Sequence, residues 1–372
     1  MSKTGSAFLL KLVSFEDLPG WSLDDPSSLW AAMADCRSYL QSVKPYKAGA
    51  LGLSTEDLRP LLERAREHSP RNAQEARSFF ERETRPFFIE PADMKSGLVT
   101  AFYEPEVAVS DRQDDEYLYP FYRRPLDLVD VDDTNRPNDL DPSYAFGLSL
   151  ENRLGAYPDR RAIDQGWLEG RGLEIAWARS KVDVFFAHVQ GAARLRYPDG
   201  RLRRITYAAK AGHPFSGIGR LLIELGAIPE TEISMQSIRN WLAERPDRVD
   251  EILWHNRSYI FFREADVDDL SRGPIAAAKV PLIAGRSLAV DRQIHTFGFP
   301  FFIHAAGLTH MDGGRDFARA MLALDTGSAI VGPARGDIFT GSGDEAGQLA
   351  GAVRNAADFY ILIPKQAAER FV

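Results

Sequence analysis

Gly336-Asp-Ile-Phe-Thr-Gly-Ser-Gly-Asp-Glu-Ala-Gly347 sets a carboxylate, Asp337, beside an apolar pair and ahead of a glycine-rich turn. Two aspartates upstream share that setting. They are Asp291 in Ser287-Leu-Ala-Val-Asp-Arg-Gln-Ile294 and Asp325 in Leu324-Asp-Thr-Gly-Ser-Ala-Ile330. Each lies where a strand should end and a tight turn begin. Burying a carboxylate there is costly unless it has a partner or a task. From Ile275 onward, short apolar runs alternate with glycine and proline, which suggests a β-barrel rather than a parallel sheet. The three aspartates therefore point to an acidic site on one small β domain.

Toward the N-terminus the pattern becomes helical. Residues 27–41, 54–67 and 71–84 read as helices. Ser27 or Ser28 can cap the first, and Ser54-Thr-Glu-Asp57 is close to a capping box for the second. Leu58, Leu61, Leu62 and Ala65 give the second helix one apolar stripe. Residues 97–109 switch to strand composition and carry a polar cluster, Thr100, Tyr103 and Glu104. Residues 110–142, with clustered acids and four prolines, read as irregular loops entering a second domain. Further on, 173–178 reads as a helix end and 182–190 as a strand, with Gln190 and Gly191 at its close. Residues 194–196, the turn Pro198-Asp-Gly200 and residues 202–207 form an expected hairpin. Helices are expected at 217–226 and 234–243, and a strand at 259–263.

The 372 residues suit two domains, and 44% hydrophobic with 26% charged is an ordinary globular composition. A net charge of −8 argues against a general nucleic-acid binder, whose domains carry a basic footprint. The lone Cys36 permits no internal disulfide and reads as a small buried residue on a helical face. No apolar run reaches the roughly 18 residues that span a membrane. Lys3, Phe8-Leu-Leu and Lys11 do not make a signal peptide, and no lipobox is visible.

No nucleophile elbow, P-loop or dinucleotide fingerprint is present, and Gly212-His-Pro-Phe-Ser-Gly-Ile-Gly219 reads as a turn leading into a helix. The seven histidines lack zinc-ligand spacing, so no metal and no cofactor is expected. Carboxylates remain, and carboxyl groups break glycosidic bonds by protonating the leaving oxygen. Such a group needs a raised pKa, from desolvation or a nearby like charge. Asp337, next to Ile338 and Phe339 and with Asp325 expected nearby, suits that chemistry; a turn aspartate capping backbone N–H groups is the plainer alternative. Tyr103 and Gln190 suit sugar binding, or serve as core and ladder residues.

Taken in order, the motifs acquire a family likeness. Gly97-Leu-Val-Thr-Ala-Phe-Tyr-Glu-Pro105, Val182-Asp-Val-Phe-Phe-Ala-His-Val-Gln-Gly191, Tyr207-Ala-Ala-Lys-Ala-Gly-His-Pro214, Ser234-Met-Gln-Ser-Ile-Arg239 and Ser258-Tyr-Ile-Phe-Phe-Arg-Glu264 precede the three aspartate motifs. From about residue 90 to 365 the chain resembles the membrane-bound lytic transglycosylase A (MltA) family of murein-degrading enzymes. Its last part resembles the three-aspartate (3D) domain. The resemblance implies a mainly β fold with N-terminal helices: a double-psi β-barrel domain interrupted by a second β-rich domain, with the substrate cleft between them. Residues 1–107 and 266–372 would form the first domain and 108–265 the insert.

The resemblance also implies the reaction. The β-1,4 bond between N-acetylmuramic acid and N-acetylglucosamine is cleaved without water, leaving a 1,6-anhydro product. Asp337 would be acid and then base, with Asp325 close by holding its proton or polarising the site. Asp291 would be structural. Thr100, Tyr103, Glu104, Gln190, Gly191 and Lys210 would bind substrate. This chain has Ala192 where the family often has serine, and Thr340 where it often has an aromatic, which would weaken or shift sugar binding. Peptidoglycan glycan strands are the implied partner, with cell-wall synthesis or division complexes beyond them, and the protein would be a monomer. Its place would be the cell envelope or periplasm, in association with the outer membrane. Two other readings stay open: a glycoside hydrolase using the same cleft, with Glu104 as the nearest water-activating carboxylate, and a non-catalytic glycan-binding module.

Overall fold

The computed structural model describes residues 8–92, 96–151, 153–265 and 269–372. Lys3, and residue 266 at the expected start of the last segment, lie outside them. The chain folds as two compact units. One comprises 1–103, 270–341 and 345–372; the other comprises 104–269 and 342–344.

The first unit opens with strand β1 (Phe8–Leu12), then helices α1 (Leu29–Ser42), α2 (Thr55–Glu67) and α3 (Ala73–Glu83). The Ser54–Asp57 capping box starts α2, and the Asn72 side chain caps α3. Leu58, Leu61, Leu62 and Ala65 are buried as one stripe of α2. Cys36 is fully buried on α1, and burial pushes its thiol up to about 12. Strands β2 (Thr84–Pro91) and β3 (Gly97–Glu104) follow.

The second unit carries β4 (Glu106–Ser110), β5 (Tyr119–Tyr122), β6 (Leu128–Asp130), β7 (Phe146–Leu150), β8 (Arg153–Gly155), β9 (Glu174–Ala178), β10 (Ala192–Arg196), β11 (Leu202–Lys210) and β12 (Ile260–Ala265). Six of them form a sheet in the order β12-β11-β10-β4-β9-β5, and an Arg123–Phe262 bridge brings its two edges together. β6, β7 and β8 form a smaller sheet. The expected hairpin is β10–β11, with Ala192 opposite Thr206 and Arg196 opposite Leu202.

One segment reverses the sequence reading. Residues 174–178 are the strand β9, and Lys181–Gln190 is a helix. The valines and phenylalanines there have strand propensity, yet both ends carry helix stops. The Ser180 side chain accepts from the Asp183 N–H, and Gly191 closes the helix at φ 76°. Caps and burial of Val184 to His188 outweigh propensity.

The first unit resumes with β13 (Ser287–Val290), β14 (Pro300–Ala305), β15 (Phe317–Asp325), β16 (Arg335–Ser342) and β17 (Arg354–Pro364). Its sheet runs β1-β2-β17-β14-β15-β13-β16-β3, and β17 also pairs with β3. That last pairing closes six strands into a ring, because β17 is long enough to serve two neighbours on one edge. Residues 354–357 pair with β3, and 360–364 pair with β2. In this sheet β13–β15 is a parallel ladder, whereas β1–β2, β2–β17, β17–β14, β14–β15, β13–β16 and β17–β3 are antiparallel. Phe301, Phe302, Phe317, Met321, Leu322, Ile361 and Leu362 fill the core of this unit together with α1 and α2. Full burial of side chains of this size is worth about 1.5–3 kcal/mol each. Asp24 ties the N-terminal segment to the barrel, accepting from Ala320 N (2.8 Å) and pairing with Arg286 (2.8 Å). No helix among the described residues is long and apolar enough to cross a membrane.

Candidate functional site

Asp325 ends β15 and Asp337 lies on β16, and β13 runs between these two strands. Ala289 of β13 is the register partner of both aspartates. The two backbones are thus two strand spacings apart, roughly 10 Å, with both side chains on one face. Each aspartate is half-buried.

Three strands set the surroundings of Asp337. Thr100 of β3 donates its hydroxyl hydrogen to Asp337 Oδ1. Arg335, two residues back on β16 and so on the same face, donates from Nη2 to Thr100 Oγ1 (2.7 Å). Burial pushes the Asp337 carboxyl above the ordinary aspartate range, against the Thr100 hydrogen bond and the Arg335 charge. Burial likewise lowers the pKa of Arg335.

Asp325 has a different shell. Its Oδ1 accepts from Ala277 N (3.1 Å), in a tight turn where Ala278 N bonds Leu324 O (2.9 Å). Lys279, in that turn, has φ 63°, a left-handed conformation that side chains rarely adopt. Burial pushes the Asp325 carboxyl up to about 6; the Asp337 charge adds to the rise, while the backbone N–H bonds and Lys279 oppose it. Two carboxyls of raised pKa on one barrel face each hold a proton more readily than an ordinary aspartate, which is what an acid–base group needs.

The raised pKa has a measurable cost. An unfolded aspartate ionises near 3.8, whereas Asp325 ionises near 6 when folded. As pH rises, the unfolded chain therefore releases this proton first. Stability falls between about pH 4 and pH 6 and stays lower above, by up to about 3 kcal/mol. Asp325→Asn removes the charge and keeps an oxygen for Ala277 N. We expect it to stabilise the protein by about 1–3 kcal/mol at pH 8 and to change little at pH 4. Urea denaturation at both pH values checks this, and an equal increment at both would contradict it.

The remaining expected residues have distinct placements. Asp291 is buried just after β13; its carboxylate accepts from Gln293 N (2.9 Å) and Gly332 N (2.8 Å), which fastens two turns together. Tyr103 is buried with its ring against Gly347, where an added Cβ would come within 2.8 Å of it. Thr340 is also buried, its hydroxyl lying 3.0 Å from Phe102 O and 2.8 Å from Ala346 O. It stitches the barrel internally and offers no surface platform for a sugar.

Glu104 corrects an expectation. It is 0% exposed, and both oxygens are engaged: Oε1 by Arg204 (2.5 Å), Oε2 by Arg194 (2.9 Å), Arg204 (3.0 Å) and Ser342 (2.6 Å). A carboxylate so enclosed has no face for a sugar or a water. Its role is structural. Gln190 and Gly191 end a helix, not a strand, and Gly191 O accepts from Tyr207 N (2.8 Å). Lys210 closes β11, half-buried, with its pKa lowered by burial. These three belong to the second unit, whereas Thr100, Tyr103 and the three aspartates belong to the barrel.

Sequence reading missed Arg335 and Lys279. Arg335 was legible in principle, since residues two apart on a strand share a face. Nothing local marks Lys279, which reaches Asp325 only through the fold. Among the described residues, no three or more His, Cys, Asp or Glu side chains are grouped to hold a metal ion. His213, for example, is held between Tyr144 OH (2.8 Å) and Tyr157 O (2.6 Å).

Comparison with known proteins gives this geometry a family. The family model of the MltA specific insert domain matches residues 98–263, and that of the 3D domain matches residues 286–363. Membrane-bound lytic murein transglycosylase A of Escherichia coli (strain K12) is 30% identical over 268 residues, 71% of this chain. The match spans 64% of that relative's length. The crystal structure of a membrane-bound lytic murein transglycosylase from Agrobacterium tumefaciens superposes with a TM-score of 0.94 at 64% identity, covering 98% of this chain and 100% of that one. MltA from Neisseria gonorrhoeae superposes at 0.80 with 29% identity, covering 98% and 94%. With two domain matches in the expected order and a full-length likeness at 64% identity, the chain belongs to the membrane-bound lytic murein transglycosylase A family.

Proposed function

We propose that this protein cleaves the β-1,4 bond between N-acetylmuramic acid and N-acetylglucosamine in murein without consuming water, with Asp337 as the acid and then the base. The observation that carries the reading is the Asp337 carboxyl itself, driven toward its protonated form by burial on a face that also holds Asp325. Protonated Asp337 gives its proton to the glycosidic oxygen as the C1–O bond breaks. The resulting carboxylate takes the proton of the muramic acid 6-hydroxyl as that oxygen bonds C1. The group ends as it began, and the product carries a 1,6-anhydro ring. The two carboxyls are coupled, since the Asp337 charge adds to the rise at Asp325. The six-strand ring is consistent with a double-psi barrel, and the second unit with an inserted substrate domain. Gln190, Gly191 and Lys210 are its candidate sugar contacts, and Thr100 serves Asp337 rather than the sugar. The engagement of both Glu104 oxygens disfavours a hydrolytic route that would use it as base. The site of action is the cell envelope, where murein glycan strands lie.

Digestion of murein in ¹⁸O-labelled water tests the reaction type. We expect anhydro ends one water lighter than reducing ends, with no label at C1. Labelled reducing ends would make the protein a hydrolase, and bound but uncut murein a binding module.

A further inference from the structure

We propose that Arg335 is a positioning residue that, acting through Thr100, decides which oxygen of Asp337 carries the catalytic proton. A guanidinium has donors only, so the 2.7 Å contact between Arg335 Nη2 and Thr100 Oγ1 uses the hydroxyl as acceptor. The hydroxyl has one hydrogen of its own. Asp337 Oδ1 is its acceptor, and no other lies within reach among the described residues. Oδ1 is therefore occupied by an incoming hydrogen. The acid proton belongs on Oδ2, which is the oxygen that delivers it. Arg335 is itself pinned by a bond from Nη1 to Gly336 O, so its fork is aimed before any ligand arrives.

The other groups around Asp337 do not provide this contact. β13 places Ala289 opposite it. Asp325 of β15 is coupled to it as a like charge, and Lys279 acts on Asp325 by charge. Arg354 of β17 is the register partner of Thr100 and acts on Arg335 by charge. Among the described residues, Arg335 and Thr100 form the hydrogen-bonded relay to the carboxyl.

The inference rests on Asp337 being the acid, and its test separates the two. The Asp337 carboxyl carbon is followed by NMR through a pH titration in the wild type, Arg335→Met, Thr100→Val and the double variant. Each single variant removes hydrogen-bond support from the ionised form and should raise the titration midpoint by about one pH unit. Arg335 also lowers the Asp337 pKa directly by its charge, so the relay is read as non-additivity: Arg335→Met should move the midpoint less in the Thr100→Val background than on its own. Additive shifts, or no shift in Arg335→Met, would overturn the proposal. Arg335→Lys and Thr100→Ser keep the donors and should restore most of the wild-type midpoint; they also serve if Arg335→Met folds poorly. The high-pH limb of kcat/KM should move with the midpoint. If Asp337→Asn still forms anhydro products, the acid assignment fails, whatever the titration cycle gives.

Discussion

Asp337→Asn should lower turnover on murein by about 10²–10⁴-fold while leaving the fold and glycan binding in place. The amide has nearly the shape of the carboxyl, and its oxygen can still accept from Thr100, so the hydrogen-bonded face survives. What is lost is a proton that can leave and return. The substitution also removes a buried ionisable group, so thermal stability at pH 8 should hold or rise. The pair of measurements is a rate of murein solubilisation and a sedimentation assay with intact sacculi. A rate within a few-fold of the wild type would remove Asp337 from the chemistry. Loss of binding together with rate would make it a substrate contact instead.

Glu104→Ala should destabilise the second unit by about 3–5 kcal/mol. Glu104 lies between Arg194 and Arg204, with Ser342 completing its bonds, and Gly343 N donates to its backbone oxygen (2.8 Å). Removing the carboxylate takes from Arg194 and Arg204 the buried anion that both of them bond. Replacing Glu104 and both arginines by apolar groups of similar volume would cost less, because removing one member of a buried ion network costs more than removing all of it. Urea denaturation checks the prediction. A change below about 0.5 kcal/mol would mean that the network is no more than a surface ion pair.

The two residues mark how far the sequence could be read. Asp337 could be singled out because its neighbours are local, Ile338, Phe339 and a glycine turn, although it lies inside β16 rather than at the end of a strand. Glu104 could not be read in this way, because its meaning depends on Arg194, Arg204 and Ser342, which lie 90 or more positions away. The same distinction runs through the fold. The α2 capping box and the β10–β11 hairpin are short-range and matched expectation. The closure of the barrel depends on β17 meeting β3, across about two thirds of the chain. The helix at Lys181–Gln190 misled because its branched and aromatic content was weighed above Ser180 and Gly191, the two residues that define its ends. Thr340 misled in the other direction: a departure from family pattern looked like a lost sugar platform, but the residue faces the barrel interior.

The measurement that tests the central claim most directly is paired mass spectrometry of purified sacculi digested with the wild type and with Asp337→Asn. The account predicts 1,6-anhydro-muropeptides from the wild type and intact sacculi from the variant. Reducing-end muropeptides from the wild type, or anhydro products from both proteins, would contradict it.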